Sequence, residues 1–318
     1  MGRLKILVTG ATGYLGKPAV ASCLAAGHHV VAVVRDTEKC PFEWDIDQRV
    51  TVLDTDLNAL PALPDGIDVV MHLAASLSGD EAQQMQDTVQ ATEHLVSLCL
   101  ERAPAIVLAS SLSVYTGQAE LGVVSEQTQL EPQPKFRDAY CRAKLQQEAI
   151  CAQYSEATGA ALVRLRIGAI WGPDRLWNAH LGVGIGPALL GAAGPGEIPL
   201  CHVRHAAQAL ALAVARAGQG ETDIVNVVDS DLPSRKRYLQ SLQATGWPRM
   251  VLPLPISGLA TLAKLTGSRL GFGLLRLPVL RARLMPLQYD NTRLRGLGWR
   301  AEASFSILMA EAVEASRG

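Results

Sequence analysis

The sequence predicts an α/β protein, a doubly wound parallel sheet followed by a smaller, mainly helical C-terminal lobe. Three observations carry this. Short apolar, β-branched runs alternate with amphipathic stretches from residue 4 to residue 173, the rhythm of parallel strands joined by crossover helices. A glycine-rich turn lies directly between the first such run and the first helical stretch. Beyond Pro173 the rhythm breaks, and residues 176–199 are rich in glycine with Glu197 as their only charge.

Each element has a local reason. Residues 4–9 (Leu-Lys-Ile-Leu-Val-Thr) form the first strand, and Gly10-Ala11-Thr12-Gly13-Tyr14-Leu15-Gly16 follows it. Gly10 permits a tight turn, Gly13 lets backbone N–H groups approach a pyrophosphate, and Gly16 lets helix pack closely on strand. A phosphate then meets the positive end of the helix that runs to Ala26. Further strands are read at residues 29–34, 50–54, 68–73, 105–109, 161–166 and 223–228. Residues 81–102 have helical rhythm through Met85, Val89, Leu95, Leu98 and Cys99. Residues 117–134 read as a loop, and helices are expected at 201–216 and 233–242. Residues 1–175 thus form an expected dinucleotide-binding domain, rejoined by the strand at 223–228, and residues 176–318 an expected substrate-binding lobe.

Composition narrows the class. The chain has 318 residues, 48% hydrophobic and 19% charged, with a net charge of -1. That length supports a substantial core, and that charge gives no general attraction to nucleic acid. The seven histidines show no metal-like spacing and the six cysteines no Cys-x-x-Cys, so no metal site is expected and the thiols are expected to be reduced in a cytoplasm. No secretory-type segment opens the chain. Residues 232–289 contain no Asp or Glu but nine Arg or Lys, namely Arg235, Lys236, Arg237, Arg249, Lys264, Arg269, Arg276, Arg281 and Arg283. Such a stretch suits an anionic substrate carrying phosphate, a peripheral membrane contact, or a solvated basic face. Its apolar runs are too short to span a bilayer.

The chemistry centres on Tyr140 and Lys144, four apart in Asp-Ala-Tyr-Cys-Arg-Ala-Lys. On a helix they share one face. A tyrosine titrates near ~10, and an ammonium beside it favours the phenolate, so the pair can exchange a proton with an alcohol or carbonyl oxygen. Ser110-Ser111-Leu112-Ser113 places hydroxyls at a strand's carboxyl end, where open α/β sheets hold their chemistry. His72, on an apolar strand end, reads as a packed histidine. At the second strand's end Arg35 precedes Asp36, with Lys39 nearby. An arginine there accommodates a ribose 2′-phosphate, an acid the free 2′-hydroxyl, which favours NADP(H) over NAD(H).

Taken in order, residues 9–16, 72–75, 110–115, 140–144, 166–173, 202–203 and 290–299 resemble the extended short-chain dehydrogenase/reductases, a group with nucleotide-sugar epimerases, 3β-hydroxysteroid dehydrogenases and dihydroflavonol reductases. The likeness covers nearly the whole chain. It implies a Rossmann-type fold, with Tyr140 as general acid/base, Lys144 lowering its pKa and binding the nicotinamide ribose, and Ser111 hydrogen-bonding the reacting oxygen. Ser110 and Ser113 are the alternatives. It also implies cofactor contacts from Gly10, Thr12, Gly13, Tyr14, Leu15, Gly16, Arg35, Asp56, Leu57, Leu73, Ala74, Ala75, Tyr140, Lys144 and Ile167, and a homodimer formed through residues 81–102 and 138–156.

Departures from the family pattern bear on the substrate. His205 stands at the usual aspartate of His-Val-x-Asp, Ile167 at a proline, and Thr88 and His94 at two asparagines. Leu112 and Ser113 replace the acidic pair a dehydratase requires. The expected activity is an NADP(H)-dependent interconversion of carbonyl and alcohol on a bulky, partly apolar small molecule. A nucleotide-sugar epimerase is the second reading, and a non-catalytic cofactor-sensing module the third.

Overall fold

The computed structural model describes residues 2–76, 81–117, 122–193, 195–255, 258, 261 and 277–315. Its centre is a seven-stranded sheet ordered β12-β7-β5-β4-β1-β2-β3. The strands are β1 (Lys5–Thr9), β2 (His29–Val34), β3 (Val50–Asp54), β4 (Val69–His72), β5 (Ala105–Ser111), β7 (Leu162–Ile167) and β12 (Asp223–Val227). Every neighbouring pair is parallel. The strand order reverses between β1 and β4, the crevice where doubly wound sheets bind ligands. As expected, β12 rejoins the sheet, at its edge beside β7.

Strand alternation builds two cores. Ile6 and Val8 face α1 (Gly16–Ala25) and α6 (Val203–Ala217), meeting Ala19, Val20, Ala206 and Leu210. Leu7 faces the other way, toward Leu95 of α4 (Ala91–Cys99) and Tyr154 of α5 (Ala139–Thr158). Because both sheet faces are covered, the strands are apolar throughout. Within the stretch read at 81–102, α3 (Glu81–Met85), a π turn at Gln86–Gln90 and α4 run without a break to Cys99, close to the single helix read from periodicity.

Two expectations are corrected and one unassigned segment gains structure. Helix α6 packs on the main sheet rather than in a separate lobe, since its apolar stripe is the partner α1 needs. In the glycine-rich segment at 176–199, to which the sequence reading gave no element, β9 (Gly182–Ile185) and β10 (Ala188–Ala193) form a hairpin that β13 (Met250–Pro255) extends. Within the loop at 117–134, β6 (Val123–Val124) pairs with β14 (Gln288–Tyr289). Lys264, Arg269 and Arg276 of the basic stretch lie outside the described residues. All six cysteines are free thiols, and among the described residues no helix is long and apolar enough to cross a membrane.

Candidate active site

The first turn after β1 is closed by Gly13 N–H donating to Gly10 O at 3.0 Å. Gly10 has φ +67°, and a Cβ there would stand 3.1 Å from Ala74 N. At Gly16 a Cβ would lie 2.2 Å from Gly10 O, so only glycine permits this approach. Above the turn opens a cavity of about 550 Å³, within the size range of small-molecule sites. All fifteen residues expected to contact a cofactor line it, from Gly10 in the turn to Ile167 at the end of β7. The glycine turn, the helix start and a lining that reaches from Arg35 to Lys144 fit a dinucleotide.

The catalytic helix is built locally. Asp138 caps α5, its carboxylate accepting from Cys141 N–H at 2.9 Å, and Gly159 ends it with φ +73°. This sets Tyr140 and Lys144 on the cavity wall. Lys144 Nζ lies 5.9 Å from the centre of the Tyr140 ring. It donates inward to Ala109 O at 2.7 Å and to Gln147 Oε1 at 2.8 Å, and burial lowers its pKa from 10.5 to about 8.

The three serines separate cleanly. The Ser111 hydroxyl favours the charged form of the Tyr140 phenol and accepts from Ser113 N–H at 3.2 Å. Ser110 is committed to Glu148, which it meets at 2.5 Å. Glu148 is itself paired with buried Arg166, its two oxygens 2.9 and 2.7 Å from that guanidinium. The Ser113 hydroxyl is buried without a partner. Ser111 is therefore the serine beside the phenol, although it does not line the cavity wall itself.

One electrostatic expectation is corrected. Within the protein's own groups the Tyr140 phenol is raised above 10.0, chiefly by burial, with the Ser111 hydrogen bond opposing that rise. The lysine does not acidify it, because the ammonium stands by the ring and is held by the acceptors behind it.

At the end of β2, Asp36 is satisfied locally. It caps the turn Thr37–Lys39 by accepting from Glu38 N–H at 3.1 Å and pairs with Lys39 at 2.8 Å, and the Lys39 hydrogen bond holds its carboxyl below the usual range. Arg35 beside it is exposed and lines the cavity. Asp56 likewise turns to its own chain, accepting from Asn58 N–H at 2.8 Å.

Sequence reasoning missed Arg175. Its guanidinium lies 4.4 Å from the centre of the Tyr14 ring, and both line the cavity. Tyr14 donates to Pro173 O at 2.9 Å, so the glycine turn and the loop after β8 (Ala169–Trp171) form one wall. No spacing in the sequence joins residues so far apart. His72 is packed, as expected. It is 1% exposed, lies between Thr9 Oγ1 at 2.7 Å and Thr92 Oγ1 at 2.9 Å, and burial lowers its pKa to about 3. His205, at the position of the family's aspartate, finds its acid elsewhere, with Nδ1 2.8 Å from Asp229.

Fold and site together define a dinucleotide-binding enzyme of the Tyr-x-x-x-Lys kind. The NAD dependent epimerase/dehydratase family matches residues 6–227, and the chain belongs to it, among NAD(P)-dependent oxidoreductases and epimerases. It is 31% identical over 188 residues to an uncharacterized UDP-glucose epimerase of Bacillus subtilis, a match covering 54% of this chain and 58% of that protein's length. It is 29% identical over 250 residues to a 3-diazoavenalumate denitrifying reductase of Streptomyces, covering 74% and 79% of the two chains. The UDP-glucuronic acid 4-epimerase of Bacillus cereus, solved with UDP-glucuronic acid and NAD, superposes with a TM-score of 0.73 over 99% of both chains at 19% identity. That likeness is one of fold.

Proposed function

We propose that this protein is an NADP(H)-dependent oxidoreductase that interconverts a carbonyl and an alcohol, with Tyr140 as general acid/base. The observation that carries the reading is the cavity, which is lined from Arg35 to Tyr140 and Lys144, with the Ser111 hydroxyl favouring the charged form of the phenol. A nicotinamide cofactor supplies the hydride. Lys144 keeps one N–H beyond its two protein acceptors for the nicotinamide ribose, and Arg35 meets the 2′-phosphate while Asp36 is neutralised by Lys39. Tyr140, protonated at neutral pH because burial raises its pKa, donates to the carbonyl oxygen during reduction, and Ser111 orients the phenol. The phenolate left behind is stabilised by the Ser111 hydroxyl, which favours the charged form.

The second reading, a nucleotide-sugar epimerase, is favoured by the names of the relatives. Three described arginines of the basic stretch, Arg235, Arg237 and Arg283, are already engaged within the protein. Arg235 donates to the carbonyls of His180, Pro195, Arg283 and Met285, Arg237 pairs with Asp231, and Arg283 with Asp138. The homodimer would use the outer faces of α3, α4 and α5, where Met85, Val89, Ala149 and Ile150 line a groove of about 360 Å³.

The test is absorbance at 340 nm with NADPH and a panel of ketones and aldehydes. Oxidation of NADPH is the expected result. Sugar-nucleotide turnover without added cofactor and without net absorbance change would replace this reading by the epimerase.

A further inference from the structure

Behind the catalytic face the buried polar groups form one cluster in which the hydrogens can be assigned. Lys144 donates to Gln147 Oε1 at 2.8 Å, which fixes the amide's orientation. The Gln147 N–H groups then donate to Ala74 O at 3.2 Å and Thr92 Oγ1 at 2.8 Å. Thr92 gives its own hydrogen to Thr88 O at 2.5 Å, so its oxygen accepts from Gln147 and from His72 Nε2–H at 2.9 Å. His72 Nδ1 in turn accepts from the Thr9 hydroxyl at 2.7 Å. The Thr9 oxygen accepts from Leu73 and Ala74 N–H, both at 3.2 Å. The 3.1 Å approach of the Gln147 and His72 nitrogens is then a meeting of two donors at the Thr92 oxygen. Each hydrogen is used once.

The cluster joins two parts of the cavity wall, the Lys144 ammonium and the backbone at residues 73–75. We propose that Gln147 is a positioning residue for the cofactor: its amide holds the Lys144 ammonium and ties it to the Ala74 carbonyl, so that side chain and backbone wall are set as one unit. The inference rests on the reading of the cavity as an NADP(H) site. Neither the family resemblance nor the Tyr-x-x-x-Lys spacing assigns this glutamine a role.

The prediction concerns how Lys144 titrates, so its neighbours matter. On its own helix these are Tyr140, raised by burial, Cys151, pushed up to about 12, and Glu148, paired with Arg166. From β4 comes His72, held neutral by its lowered pKa of about 3.

The experiment is fluorescence titration of NADPH from about pH 7 to about pH 10 on wild type, Gln147→Met, Gln147→Glu and Lys144→Met, with thermal melts alongside. Affinity is expected to fall on the alkaline side as the ammonium loses its proton. The break should lie about one pH unit lower in Gln147→Met, which loses a hydrogen bond to a charged group, and about one unit higher in Gln147→Glu, which gains a carboxylate. Lys144→Met should show no break. Should Gln147→Met fail to fold, Gln147→Glu decides. An identical break in wild type and both Gln147 variants, with only melting temperatures altered, would overturn the role of Gln147 and leave the cofactor reading intact. No NADPH binding by wild type would overturn both.

Discussion

Among the described residues, the buried polar clusters around Asp229 and around Lys144 each contain a histidine, and of these two it is the Lys144 cluster that ends on a cavity wall. Around Asp229, which is 5% exposed, the groups close on themselves. Its carboxylate accepts from His202 N–H at 3.0 Å, Trp171 Nε1 at 3.1 Å and His205 Nδ1 at 2.8 Å. His205 Nε2 accepts from Glu302 N–H at 2.9 Å, and Trp299 Nε1 donates to His205 O at 3.2 Å. This cluster fastens the C-terminal segment to α6. Around Lys144 the chain of hydrogen bonds is equally complete toward the protein but leaves one ammonium N–H for the cavity. Burial and a complete set of hydrogen bonds therefore do not by themselves mark chemistry. A donor left over at a cavity wall does.

The contrast can be broken in order of effect. Asp229→Ala strands three buried donors and should lower the unfolding free energy by about 3–5 kcal/mol, read by denaturant titration, while the folded fraction keeps its NADPH affinity. A loss below about 1 kcal/mol would mean the Asp229 cluster is not the fastening it resembles.

The Lys144 cluster has the opposite signature. Lys144 has a folded pKa of about 8 against 10.5 unfolded, so between those values the unfolded chain holds the extra proton. Stability relative to Lys144→Met should therefore rise as pH increases from about 8 to about 10.5, by a swing on the order of 3 kcal/mol. A flat difference between wild type and variant would show that the ammonium is not buried at this cost.

Tyr140→Phe should lower the rate of carbonyl reduction by ~10²-fold while leaving NADPH affinity nearly unchanged; equal rates would remove the phenol from the mechanism. The smallest expected effect is one of selectivity. Arg35→Glu should weaken NADPH by ~10-fold or more relative to NADH, and parallel losses for both would point to a role other than 2′-phosphate recognition.

By itself the sequence determined the order of strands and helices along the chain, the glycine turn and the Tyr140 and Lys144 pair. These follow from local rules, since strand alternation, helix period and the need for glycine where backbone passes backbone are all written within a few neighbouring positions. Only the tertiary structure bound the Ser110 hydroxyl to Glu148, 38 residues away. It alone paired His205 with Asp229, set Arg175 against Tyr14, consumed Arg235 on backbone carbonyls and brought Gln147 to both Lys144 and Ala74. The physical reason is common to all of these. A side chain's partner depends on which strands and helices are neighbours in space, and that adjacency comes from the packing of both sheet faces, which no local pattern encodes.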